Sequence, residues 1–270
     1  MIAWHLATVA LYLVGCVWGL GMLYRPGRPW AGMTRFWVLA GFLMQTGAGL
    51  WVWRQAGRFP ITQVGDSLWL LVWFLALAFL LIDAVYRLPT LGPILLPLIV
   101  VLGGVSLFFP HGVRLESLPA WTPVHVVTNV LGFAAFALAA ISSVAYLLQE
   151  RRLKRKAPDL PARLPSLETL DRINFHALLF GFPLLTVGLT LGVTAAVTTG
   201  MLGRGWWSDS KVMLSLTVWG FFAVVVVGRV ARLRSGRSVA WLTVVGFTLV
   251  VVTLLVADVV IPGVHSGLGR

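Results

Sequence analysis

The chain has 270 residues, of which 59% are hydrophobic and only 11% charged, and its net charge is +12. Soluble domains carry about a quarter charged residues, so this composition, with a mean hydropathy of +0.90, excludes an ordinary water-soluble enzyme. It predicts an all-α, polytopic membrane helical bundle, because only helices and closed barrels satisfy their backbone in lipid.

A run of about 20 apolar residues crosses the ~30 Å hydrocarbon core as a helix. Eight such runs follow one another, at roughly 3–24, 32–53, 67–86, 90–109, 125–148, 173–199, 212–231 and 239–261. They form one integral-membrane domain over 1–270, with about eight spans. The first run lacks a basic leader and a small-residue cleavage site, and is read as a retained helix. It contains Cys16, the one cysteine of the chain. That residue has no partner for an internal disulfide, so any thiol chemistry comes from another protein.

The basic residues sort by connection. Arg25, Arg28, Arg35, Arg87, the run Arg151, Arg152, Lys154, Arg155 and Lys156, then Arg163, Arg172, Arg229, Arg232, Arg234 and Arg237 make 15 of the 21 and fall on one side. The positive-inside rule makes that side cytoplasmic and puts both termini on the outer face of a cell (inner or plasma) membrane. The charge is thus a topology signal that anchors on anionic lipid, with no nucleic acid partner implied.

This topology sorts the histidines. His5, His111, His125 and His265 map to the outer face, and His176 lies near the inner end of its span. Tryptophans crowd the outer level too, at Trp4, Trp51, Trp53, Trp69, Trp121, Trp206 and Trp207. An aromatic belt explains scattered tryptophan, but not histidine. His125 opens the fifth span and His265 follows the eighth, so helix ends can hold both imidazoles at one depth. Two imidazoles beside flat aromatic walls suit the axial positions of a haem iron.

The second half of the chain, about 125–270, resembles the cytochrome c assembly family of haem-handling membrane proteins, whose members include the CcsA, CcmC and HemX/YpjD-like proteins. The segment "GFPLLTVGLTLG" (Gly181 to Gly192) is similar to the family's helix before a tryptophan-rich outer loop. "WWSDSK" (Trp206 to Lys211) stands where the family has Trp-x-Trp-Asp-Pro-Lys, and "LSLTVW" (Leu214 to Trp219) resembles the segment after it. His125 matches the first flanking histidine, and "GVHSGLG" (Gly263 to Gly269) matches the second, at His265. In the first half "FPITQVGDSL" (Phe59 to Leu68) resembles the outer loop of the CcsA and HemX branches. "YLLQERRLKRK" with "LPSLETLDRINF" looks like the HemX/YpjD branch.

The chain also departs from the pattern. Ser208 replaces the second loop tryptophan, Ser210 the proline and Val212 the following acid, so the loop at 203–211 is degenerate. Val227 stands where the CcsA branch has an inner histidine, and His176 could reach the same depth.

The resemblance implies a haem-binding protein of cytochrome c biogenesis. It would hold or deliver a non-covalent, b-type haem at the outer face. His125 and His265 would ligate the metal, while Trp206 and Trp207 offer planes to the porphyrin. Lys211 or Arg204 would meet a propionate, Asp209 would brace the loop against Lys211, and His176 would serve a second, inner site. Implied partners are haem, apocytochrome c and a ResB/CcsB-like membrane subunit within the lipid bilayer. No phosphate loop, CxxC pair, Ser/His/Asp set or HEXXH motif is present, so there is no self-contained catalytic motif. Any enzymatic role would lie within a larger haem-attachment system. Two other readings remain: a HemX-type regulatory or scaffold protein of tetrapyrrole synthesis, and a small-molecule transporter. An acid at mid-membrane would favour the transporter. Asp83 and Asp258, the acids within the spans, lie near span ends instead.

Overall fold

The computed structural model describes residues 2–24, 30–57, 61, 63–86, 91–111, 121–155, 164–198, 210–231 and 236–259. Among these there is no strand, and eight helices follow in order. They are α1 (Ile2–Tyr24), α2 (Trp30–Ala56), α3 (Val64–Tyr86), α4 (Gly92–Ser106), α5 (Thr122–Lys154), α6 (Leu167–Thr198), α7 (Ser210–Val230) and α8 (Arg237–Val259). Seven are long and apolar enough to cross a membrane, so the chain is a multi-pass helical membrane protein.

The eighth, α4, has 15 residues, about 22 Å of rise at 1.5 Å per residue. Hydropathy alone predicts a helix over 90–109. The α-helix stops short because Pro93 opens it and Gly103 and Gly104 weaken its end. Tight turns carry the chain on, with Leu107, Phe108 and Phe109 N–H groups donating to Gly104, Val105 and Ser106. At the other extreme α5 runs to Lys154, six residues past the end of the expected span at 148. Gln, Glu, Arg, Leu and Lys are good helix formers, and Glu150 pairs with Lys154 one turn on at 2.7 Å. Ser166 caps α6, its Oγ accepting the Thr169 N–H at 3.2 Å.

By its contacts the chain divides into two compact units, residues 1–116 with 144–171, and residues 117–143 with 172–270. In the first, α1 packs on α2 and α4, and α3 packs on α2 and α4. Its buried side chains include Tyr12, Val38, Val72, Leu75, Leu95 and Ile99. One polar thread runs through this apolar interior. The Tyr12 hydroxyl donates to Gln45 Oε1 at 2.8 Å, and Gln45 Nε2 donates to the Trp69 carbonyl at 2.7 Å. Both ends of the carboxamide are therefore satisfied, as burial in lipid demands. At the opposite end of α2, Arg35 pairs with the buried Asp83 of α3.

In the second unit α5 and α6 run antiparallel along a regular seam. Contacts join His125 to Gly188, Gly132 to Gly181 and Ala139 to Asn174, seven residues apart on each helix, which is the spacing of a coiled-coil seam. A Cβ on Gly132 would come within 3.2 Å of the Gly181 carbonyl, so this crossing needs glycine. Phe136 of α5 stacks on Phe222 of α7 with ring centroids 3.8 Å apart. Asn174 Nδ2 lies within hydrogen-bonding distance of the Ala139 carbonyl, Ser143 Oγ and Thr243 Oγ1, tying α6 to α5 and α8.

Candidate functional site

The site is built around His125, in the first turn of α5. Pro123 is tolerated there because the first helical N–H groups have no intrahelical partner. The His125 N–H bonds back to the Trp121 carbonyl at 3.0 Å, and the Trp121 indole stands edge-on to the imidazole with centroids 6.3 Å apart.

The imidazole lies on α6. Its Nδ1 is 2.7 Å from the Gly188 carbonyl. A carbonyl only accepts, so Nδ1 carries a proton and, in the neutral ring, Nε2 carries the lone pair. This is the tautomer of a metal-ligating histidine, and the carbonyl makes Nε2 a better donor to a metal. Two glycines make room. A Cβ at Gly192 would lie 2.5 Å from His125 Cε1, and one at Gly188 would run into the Asn129 carboxamide. Asn129, one turn along α5, places Nδ2 3.3 Å from His125 Nδ1 and 3.4 Å from Nε2. From Gly188, α6 continues ten residues to Thr198, about 15 Å at 1.5 Å per residue. His125 is therefore set below the last turns of α6. On the far side of α6, Trp219 of α7 donates its indole N–H to Thr186 Oγ1 at 3.0 Å and stacks on Phe182.

The other sequence-predicted residues are placed as follows. Trp206, Trp207, Asp209 and His265 lie outside the described residues, so the meeting of His125 with His265 and the tryptophan loop does too. Lys211 is in the first turn of α7, its side chain likewise outside them. His176 is exposed on α6, with Nδ1 donating to the Arg172 carbonyl at 2.9 Å. Val227 is 62% exposed on α7.

Two further histidines come together in the first unit. The His5 ring centroid is 4.3 Å from both Trp69 and His111. His111 Nδ1 is 3.3 Å from Asp66 Oδ1, and Nε2 is 2.9 Å from the Ser106 carbonyl. Sequence reasoning placed these histidines on the outer face, but did not join them to Asp66. It also missed Asn129, Gly188 and Gly192. The available signal was a pair of matched i, i+4 spacings, 125/129 and 188/192. Among the described residues no three His, Cys, Asp or Glu side chains gather as a bare metal-ion site. A single helix-borne imidazole with Nδ1 on a carbonyl could supply one nitrogen to a metal-bearing group.

The profile of the Cytochrome C assembly protein family matches residues 61–265. The cytochrome c biogenesis protein CcsA of Prochlorococcus marinus strain AS9601 is 30% identical over 245 residues, covering 80% of this chain and 78% of that protein. CcsA of Prochlorococcus marinus subsp. pastoris is 27% identical over 242 residues, covering 79% and 76%. CcsA of strain NATL1A is 26% identical over 266 residues, covering 86% and 84%. No solved structure matches. With the family profile spanning 61–265, about three quarters of its length, the chain belongs to the cytochrome c assembly protein family.

Proposed function

We propose that this protein works in cytochrome c maturation by holding haem at the outer face of the membrane and presenting it to apocytochrome c. The observation that carries the reading is the His125–Gly188 hydrogen bond of 2.7 Å, which puts the lone pair on Nε2. Haem iron, when bound, supplies the Lewis acid that this nitrogen ligates. His265, matched to the family's second flanking histidine, is proposed as the other residue that would hold the haem. Trp206 and Trp207 are proposed as the porphyrin platform, Lys211 as the propionate contact and Asp209 as its brace. His176 would face a second, inner-leaflet haem or a partner subunit of the ResB/CcsB-like kind. The thiols that take up haem belong to the apocytochrome, since Cys16 is buried within α1.

Family membership and the CcsA relatives support this reading. The test is the visible spectrum of the purified protein. A b-type, bis-histidine haem gives a sharp Soret band and split reduced bands. His125→Ala and His265→Ala are each expected to lose haem, with added imidazole restoring part of it. Variants that both retain wild-type haem would overturn the assignment.

A further inference from the structure

We propose that Asn129 is the positioning residue of this site, fixing the plane of the His125 imidazole; the proposal rests on the haem reading above. Its carboxamide nitrogen is almost equidistant from the two ring nitrogens, 3.3 and 3.4 Å away. A donor lying along the lone pair of one nitrogen would be much farther from the other, so the amide sits over the ring and not in line with Nε2. The other side of the carboxamide is pressed on α6. A Cβ on Gly188 would approach Asn129 Cγ to 2.6 Å and Nδ2 to 2.9 Å. The side chain thus fills the space beside the imidazole that a side chain on Gly188 would otherwise take.

Three restraints then act on one ring. The Gly188 carbonyl holds Nδ1, the bare α6 surface at Gly192 receives the Cε1 edge, and Asn129 covers a face. The ring can neither rotate nor exchange its nitrogens without breaking the Gly188 bond or displacing Asn129. An axial ligand held this way has a fixed orientation over the porphyrin, and groups that hold a ligand from behind govern both affinity and the electronics of the metal.

The test uses the full-length protein in nanodiscs, loaded with haem. Asn129→Ala is expected to release haem to an apomyoglobin scavenger about 10-fold faster, the size of effect typical when a ligand loses its supporting partner. It is also expected to shift the low-spin ferric EPR g values, which respond to the orientation of axial imidazole planes. In the haem-free protein, nitrogen NMR of His125 should change from one tautomer to a mixture. Asn129→Asp, which keeps the shape, should recover most of the retention lost by alanine. Wild-type release and wild-type g values in Asn129→Ala overturn the proposal. Should the alanine variant fail to accumulate, Asn129→Ser takes its place in both measurements, and wild-type values there overturn the proposal equally. His125→Ala is measured in parallel. If it keeps its haem, the ligand assignment itself fails. If it loses haem while the Asn129 variants match wild type, only the positioning role fails.

Discussion

An imidazole can lie close against a neighbouring helix where that helix offers no side chain, which Gly192 provides for His125, while Gly188 leaves space for Asn129. Replacing Gly192 by alanine puts a methyl group 2.5 Å from Cε1 and 2.9 Å from Nδ1. One of them must move, at a cost of about 1–3 kcal/mol for an overpacked contact. Gly192→Ala is therefore expected to weaken haem retention and to lower thermal stability. Gly220→Ala on α7, where a Cβ meets nothing within 4 Å, should retain haem normally and gain about 1 kcal/mol of helix propensity. Equal haem retention in the two variants would show that the α6 surface does not constrain His125. His125 was singled out in the sequence because it heads an apolar run and matches a flanking histidine of the family the chain resembles. Asn129 and the glycines were not. Small residues at i, i+4 on a spanning helix commonly serve helix packing, and a single sequence does not say which side chain fills the space they leave.

At the scale of elements, hydropathy predicts the helices well because lipid leaves the backbone no alternative. It is silent on which helices touch. The extents of α4 and α5 depart from the apolar runs for local reasons, proline and glycine shortening one and strong helix formers lengthening the other. The polar thread between α1, α2 and α3 could not be foreseen, since Tyr12 and Gln45 are 33 residues apart. Its energetics make a testable contrast. Tyr12→Phe leaves the Gln45 carbonyl oxygen without its donor inside the first unit, and Gln45→Leu leaves the Tyr12 hydroxyl without its acceptor. Each single change is expected to cost about 1 kcal/mol. The double variant should cost less than the sum, because removing both partners leaves little polar surface unpaired. Thermal unfolding of the four proteins in one detergent forms the cycle, and strictly additive losses would mean that the hydroxyl and the amide do not interact. In the second unit the seven-residue steps of the α5–α6 seam are visible in sequence once the register is known. Finding that register required the structure.

For the whole molecule, the arrangement of charge makes a prediction that the helices alone do not. If the 15-residue α4 also crosses, as the eight apolar runs of the sequence predict, the spans alternate in direction and connections 1–2, 3–4, 5–6 and 7–8 share one side. That side carries 15 of the 21 Lys and Arg residues, including Arg151, Arg152 and Lys154 in the last turn of α5. The Arg35–Asp83 pair agrees, joining the start of α2 to the end of α3 at one level. Exposed Trp4, Trp51 and Trp53 mark the opposite ends of α1 and α2, as interfacial anchors do. The loops at 150–172 and 229–237 are accordingly expected to be cytoplasmic, and those at 54–66, 110–124 and 201–211 to face outward. Single cysteines at Ser208 and Ser235 test this with little background, because Cys16 is buried. A membrane-impermeant maleimide should label Ser208→Cys in intact cells, and Ser235→Cys only after the membrane is opened. Labelling of Ser235→Cys from outside would invert the topology, and would put His125 on the side away from any extracytoplasmic apocytochrome.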